Sequence, residues 1–245
     1  MLTGPQISAD TVIDSAERNL RNNWEETRKR IATTASRWGR LCDSVGLVAI
    51  SKGHPASALR AVAGFGQRDF GENYLQEAVP KIQALADLSP TWHFTGQLQG
   101  NKTRTVAEHF QWVHTLDRER IAVRLNEQRP HYAPPLNVCL QVSLEQEPGK
   151  GGVPPEHLLT LAQSVAQLPK LKLRGLMCIP PPRETFEEQR ALFEQLADCQ
   201  RRLVAAGFAL DTLSMGMSAD LEAAVAAGAT WVRIGTAIFG MRPAQ

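Results

Sequence analysis

The chain has 245 residues, 43% of them hydrophobic, and its 27 lysines and arginines against 25 aspartates and glutamates give a formal net charge of +2. That is enough apolar chain for the core of one domain of α/β-barrel size. A balance this close to neutral excludes the electrostatic footprint of a nucleic-acid or membrane-surface binder.

No apolar run reaches membrane-spanning length. The first residues, Met1 to Gln6, lack the basic and apolar regions of a signal peptide, so the expected location is the cytoplasm. Cys42, Cys139, Cys178 and Cys199 are scattered, with no C-x-x-C pair and no histidine at zinc-site spacing. Reduced, buried thiols are expected, without disulfides or metal.

Core-facing positions at Ile13, Ala16, Leu20, Trp24, Thr27, Ile31, Ala35 and Trp38 step by three or four. Residues 8–42 therefore read as a long amphipathic packing helix ahead of the first strand. A rhythm of strand and helix then begins. Leu47–Ser51 is a short apolar strand, and a helix with proline in its first turn follows over 55–63. Strand two is 68–70, with a helix over 74–85. Strand three is 91–95, with a helix over 102–109. Strand four is 111–115, with a helix over 118–128. Strand five is 136–144; a glycine-rich loop containing Lys150 leads to a helix over 155–167. Strand six is 171–178, closed by Pro180-Pro181-Pro182 before a helix over 185–206. Strand seven is 212–215, with a helix over 218–227. Strand eight is 231–234, and a helical turn starts near Thr236.

Alternating strands and helices without hairpin signals predict parallel strands. Eight such units predict a single-domain (β/α)8 TIM barrel over residues 1–245, with 8–42 as an extra N-terminal helix. The competing doubly wound sheet would want a G-x-G-x-x-G turn after strand one, and Ser51-Lys52-Gly53-His54-Pro55-Ala56 is not one.

In a barrel, chemistry gathers at the C-terminal strand ends. Those ends hold Lys52, Glu72-Asn73, His93, Gly96, His114-Thr115 and Met177, then Ser214 to Ser218 and Arg233 to Thr236. Val48, Ile50 and Lys52 share one face of strand one. A lysine at the rim of the core is part-desolvated, and its neutral amine can attack an aldehyde. The competing reading is a lysine whose ammonium reaches out to solvent.

Ser218 reads as an N-cap after strand seven, and Gly235-Thr236 opens a helix after strand eight. Each turn alone is an ordinary cap. Together they match the usual phosphate site of this barrel. A phosphate seat beside a strand-end lysine points to pyridoxal 5'-phosphate (PLP). Arg233 shares a strand face with Gly235; it can donate to the pyridine nitrogen while staying charged. It can equally form an ion pair with Glu72 or Asp220.

These residues carry a resemblance. Val48-Ala49-Ile50-Ser51-Lys52, Phe70-Gly71-Glu72-Asn73-Tyr74, Trp92-His93-Phe94, Leu98-Gln99-Gly100-Asn101-Lys102, Arg174-Gly175-Leu176-Met177, Leu213 to Ser218 and Val232 to Gly240 resemble the PLP homeostasis protein family (YggS/PROSC-type PLP-binding proteins). The resemblance implies a fold like the barrel domain of alanine racemase. There the spacing kept by Ser218, Arg233 and Gly235 serves the phosphate and the pyridine nitrogen. It implies Lys52 as the Schiff-base lysine and Ser218, Gly235 and Thr236 as phosphate ligands. It also implies Arg233 at the pyridine nitrogen and Asn73 lining the pocket. The chain departs from the family pattern at Gly53-His54, Gly96-Gln97-Leu98, Gly100 and the 148–152 loop. Lys150 is either a second PLP-reactive lysine or a solvated loop residue.

Racemisation needs a base on each face of the substrate carbon. The chain has two tyrosines, Tyr74 and Tyr132, neither an obvious second base, and it stops shortly after strand eight. The expectation is a monomeric PLP carrier or buffer with PLP-dependent apoenzymes as recipients. The alternatives are a small PLP-dependent racemase or lyase, a cofactor-free Schiff-base aldolase, and a barrel without ligand. Proton exchange, a borohydride-bleached absorption band and PLP titration separate them.

Overall fold

The computed structural model describes residues 9–145 and 151–242, with side chains from Ser15 onward. Eight strands, β1 (Gly46–Ile50), β2 (Asp69–Glu72), β3 (Thr91–Phe94), β4 (Trp112–Leu116), β5 (Leu136–Gln141), β6 (Leu171–Met177), β7 (Thr212–Ser214) and β8 (Trp231–Ile234), close into one barrel in sequence order. Each pairs in parallel with its neighbours, and β8 returns to β1 with Arg233 opposite Val48. The expected TIM barrel is the fold. Its helices are α1 (Ala9–Arg37), α2 (Ala56–Gly64), α3 (Leu75–Ala84), α4 (Thr103–His109), α5 (Glu119–Gln128), α6 (Leu158–Ala166), α7 (Phe186–Ala205), α8 (Leu221–Ala226) and α9 (Thr236–Phe239). No helix among the described residues is long and apolar enough to cross a membrane.

Strand alternation sorts the side chains into two cores. Leu47, Ala49, Phe70, Trp92, Phe94, Val113, Val138, Leu176 and Val232 face the helices and form one continuous apolar layer. The alternate residues point down the barrel axis. There Trp112, Cys139 and Met177 make a small separate cluster. Trp112 stacks on His93 with ring centroids 5.5 Å apart and lies 6.2 Å from Trp231, which fills the interior toward the N-terminal face. Cys139, Cys178 and Cys199 are buried free thiols, whereas Cys42 is exposed, contrary to the expectation for all four.

Several boundaries differ from the sequence reading, strand five ending at Gln141 and not 144 among them, and three have a visible local cause. The N-terminal helix stops at Arg37 and not at 42. Gly39 takes φ +67°, and Gly39 and Arg40 donate to Ser36 O and Ala35 O, a left-handed ending that glycine permits. Strand β1 ends at Ile50. The chain turns at once, His54 N donating to Ser51 O (3.1 Å), so Lys52 sits in the turn rather than on the strand. The helix expected from Ser218 begins at Leu221, and Asp220 is its N-cap residue. Serine and aspartate are both good caps, so local sequence does not choose between them. Asp220 Oδ1 accepts from Met217 N (2.5 Å), and that bond holds 217–220 as a turn.

Candidate functional site

The turn after β1 brings Lys52 to the mouth of the barrel, half-buried. Burial pushes its ammonium below the usual lysine range, helped by the Arg242 charge and opposed by Glu72 and Glu77. The turn is pinned on two sides. Gly53 N donates to Glu77 Oε2 (2.7 Å), and His54 stacks on Phe239 of α9 with centroids 5.0 Å apart.

Behind Lys52 lies a buried ionic knot. Glu72, fully buried at the end of β2, accepts on Oε1 from Ser51 Oγ (2.7 Å) and Lys81 Nζ (2.6 Å). Lys81 also donates to Ser51 O (2.9 Å). Burial pushes the Glu72 carboxyl up despite these bonds. Lys81 escaped the sequence reading because Glu77 and Lys81 look like an ordinary exposed pair one helical turn apart. Only the packing of α3 on β2 buries it.

Arg233 points inward from β8 and is buried. It donates from Nη1 to Ser214 Oγ (2.8 Å) and from Nη2 to Cys178 O (2.9 Å). These bonds stand in place of the ion pair with Glu72 or Asp220. The chain of contacts continues: Ser214 Oγ lies 2.7 Å from His114 Nδ1, His114 Nε2 lies 2.9 Å from His93 Nδ1, and His93 Nε2 lies 3.0 Å from Asp69 Oδ1. Arginine only donates, so Ser214 donates its single O–H to His114 Nδ1. His114 then donates from Nε2 to His93, and His93 donates from Nε2 to the Asp69 carboxylate. Burial lowers the pKa of both imidazoles, so each stays neutral with this tautomer. His93 and His114, expected among the mouth residues, are internal links of a relay running from Arg233 to the N-terminal face. No local motif announces it.

The remaining predicted residues border the same mouth. Asn73 follows β2; its Oδ1 accepts from Thr95 Oγ1 (3.1 Å). It lines a cavity of about 260 Å³ with Thr95, Thr115, Ser143, Cys178 and Ile179. Gly235 caps α9, and a Cβ there would stand 3.1 Å from Ile50 O, so this turn lies against the end of β1. Thr236 is exposed and Ser218 half-buried in its turn. The Ser218 carbonyl accepts from Arg30 Nη1 (3.0 Å), a contact absent from the sequence reading. Lys150 lies outside the described residues. Among the described residues no group of histidine, cysteine and carboxylate side chains could hold a metal.

This mouth fits PLP. It offers a half-buried amine with a depressed pKa, a buried donor that stays charged, and a glycine turn after β8 packed against the end of β1. The model of the alanine racemase N-terminal domain matches residues 17–243. A pyridoxal phosphate homeostasis protein of Pseudomonas aeruginosa is 55% identical over 223 residues, covering 91% of this chain and 96% of the relative. That of Escherichia coli K12 is 49% identical over 227 residues, covering 91% and 97%. PipY of Synechococcus elongatus PCC7942, solved with PLP bound, superposes with a TM-score of 0.76 at 42% identity, covering 86% of this chain and 100% of that one. The chain belongs to the pyridoxal phosphate homeostasis protein family, built on the alanine racemase N-terminal domain.

Proposed function

We propose that this protein binds PLP reversibly through a Schiff base on Lys52 and serves intracellular PLP and amino-acid homeostasis as a carrier or buffer. The observation that carries the reading is the half-buried amine of Lys52, with its lowered pKa, at the mouth of a barrel of this family. PLP supplies an aldehyde carbon and a conjugated ring that can draw electrons. Lys52, once neutral, attacks the aldehyde; its two amine protons leave with the aldehyde oxygen as water, and the reverse releases the cofactor. Ser218, Gly235 and Thr236 donate to the phosphate, and Asn73 lines the pocket. Arg233 donates to the pyridine nitrogen without giving up its proton.

Such a donor leaves the ring a weak electron sink, which favours holding over turnover. The tyrosines favour the same reading. Tyr132 is 81% exposed in the loop between α5 and β5, at the end of the barrel opposite the mouth. Tyr74 is 54% exposed at the start of α3. The protein acts as one domain over residues 1–245, as a cytoplasmic monomer, and hands PLP to PLP-dependent apoenzymes. Lys52→Ala should abolish the Schiff-base absorption formed with PLP; a band that persists unchanged would overturn the lysine assignment. Amino acids mixed with the loaded protein in deuterated water should keep their α-protons. Exchange at enzymatic rates, lost in Lys52→Ala, would instead establish a racemase or lyase.

A further inference from the structure

The N-terminal helix reaches the turn after β7 and the far end of α9, the two elements that carry the proposed phosphate seat. Arg30 of α1 donates from Nη1 to Ser218 O (3.0 Å) in the turn after β7. Its Nε and Nη2 grip the Glu222 carboxylate of α8, the second bond at 2.5 Å. This is the two-point geometry that a guanidinium makes and an ammonium does not. Two helical turns earlier on the same face, Asn23 Nδ2 donates to Ile238 O (3.1 Å) at the end of α9.

The turn after β7 is held from within by Met217 N donating to Asp220 Oδ1 and from β8 by Arg233 N donating to Gly216 O (2.9 Å), and Arg30 adds a hold from outside the barrel. Met217 at its tip is exposed, and α8 behind it is a helix of six residues. The helix doing the holding is itself well anchored. Ile31 and Ala35 are buried in the main core. Trp24 Nε1 donates to Gln67 Oε1 (3.0 Å), and Gln67 Nε2 donates on to Leu47 O and Asp69 O, each at 2.7 Å. The anchor on β1 and β2 and the two grips on α8 and α9 therefore belong to one rigid element.

We propose that α1 is the outer brace of the phosphate seat, with Arg30 and Asn23 as positioning residues. They touch no ligand and act through the Ser218 and Ile238 carbonyls. This rests on the PLP reading above. It makes a prediction that a general packing role does not: loss of the brace should fall on the phosphate and not on the aldehyde or the ring.

The test is titration of PLP and of pyridoxal, which lacks the phosphate, into the wild-type protein and the Arg30→Ala, Arg30→Lys and Asn23→Ala variants, with thermal unfolding of each. For Arg30→Ala the Kd for PLP should rise about tenfold, the order set by one hydrogen bond from a charged donor, while the Kd for pyridoxal holds. Arg30→Lys should recover part of the loss, and Asn23→Ala should give a smaller loss in the same direction. Equal weakening of both ligands, or an unchanged PLP-to-pyridoxal ratio in all three variants, overturns the brace. If Arg30→Ala fails to fold, the ratio in the two milder variants decides. A wild-type protein that does not prefer PLP to pyridoxal overturns the phosphate reading itself, and the brace with it.

Discussion

Arg233 donates to the Ser214 hydroxyl at 2.8 Å, and that single contact sets the direction of every hydrogen bond below it. Because the guanidinium cannot accept, Ser214 must donate to His114, and the two imidazoles fall into one tautomeric arrangement ending on Asp69. The position of Arg233 at the mouth is thus supported from the opposite end of the barrel.

Ser214→Ala should break this relay at its centre, leaving an Arg233 N–H and His114 Nδ1 buried without their partner. A loss of about 1–3 kcal/mol is expected, read by denaturant unfolding. The Schiff-base absorption band should also shift, since Arg233 loses one of the two bonds that orient it. An unchanged band together with unchanged stability would mean that the relay does not hold Arg233.

The histidines make stability depend on pH. Both have folded pKa values depressed by burial, so between the unfolded value and the folded one the unfolded chain binds more protons. Their contribution is therefore complete above about pH 6.5 and is lost as pH falls below it. Thermal midpoints should drop on acidification through this window, and His114→Gln, which cannot titrate, should flatten the dependence.

Arg242 is a lever on the lysine. Its charge lowers the Lys52 pKa, second in size to burial. Arg242→Gln should raise that pKa, leaving less neutral amine at pH 7 and slowing formation of the Schiff base with PLP. The pH profile of the rate should move to higher pH, whereas a solvated lysine that Arg242 does not influence would show no movement.

Gly96 is a space requirement at the site. A Cβ there would lie 2.1 Å from the Asn73 carbonyl oxygen, which is backbone and cannot swing aside. Gly96→Ala should cost about 1–3 kcal/mol and weaken PLP binding, because the chain carrying Asn73 has to move. Retention of full PLP affinity would argue against Asn73 as a lining residue.

What the sequence determined by itself was whatever repeats locally. The alternation of Val48 and Ile50, the order of strands and helices, and the spacing of Ser218, Arg233 and Gly235 state a parallel barrel with a lysine and two turns at one end. Cap chemistry is less decisive: Ser218 and Asp220 are equally good signals, and the helix starts after Asp220, whose side chain bonds back to Met217 N instead of capping it. Only that structure decided the relay, the Glu72–Lys81 knot and the brace. His114 meets Ser214 across 100 positions of chain, and Arg30 meets Ser218 across 188. Periodicity says which face of a strand or helix is buried. Which buried faces meet, and at what height along the axis, is set by barrel closure and strand register, and no stretch of local sequence encodes these alone.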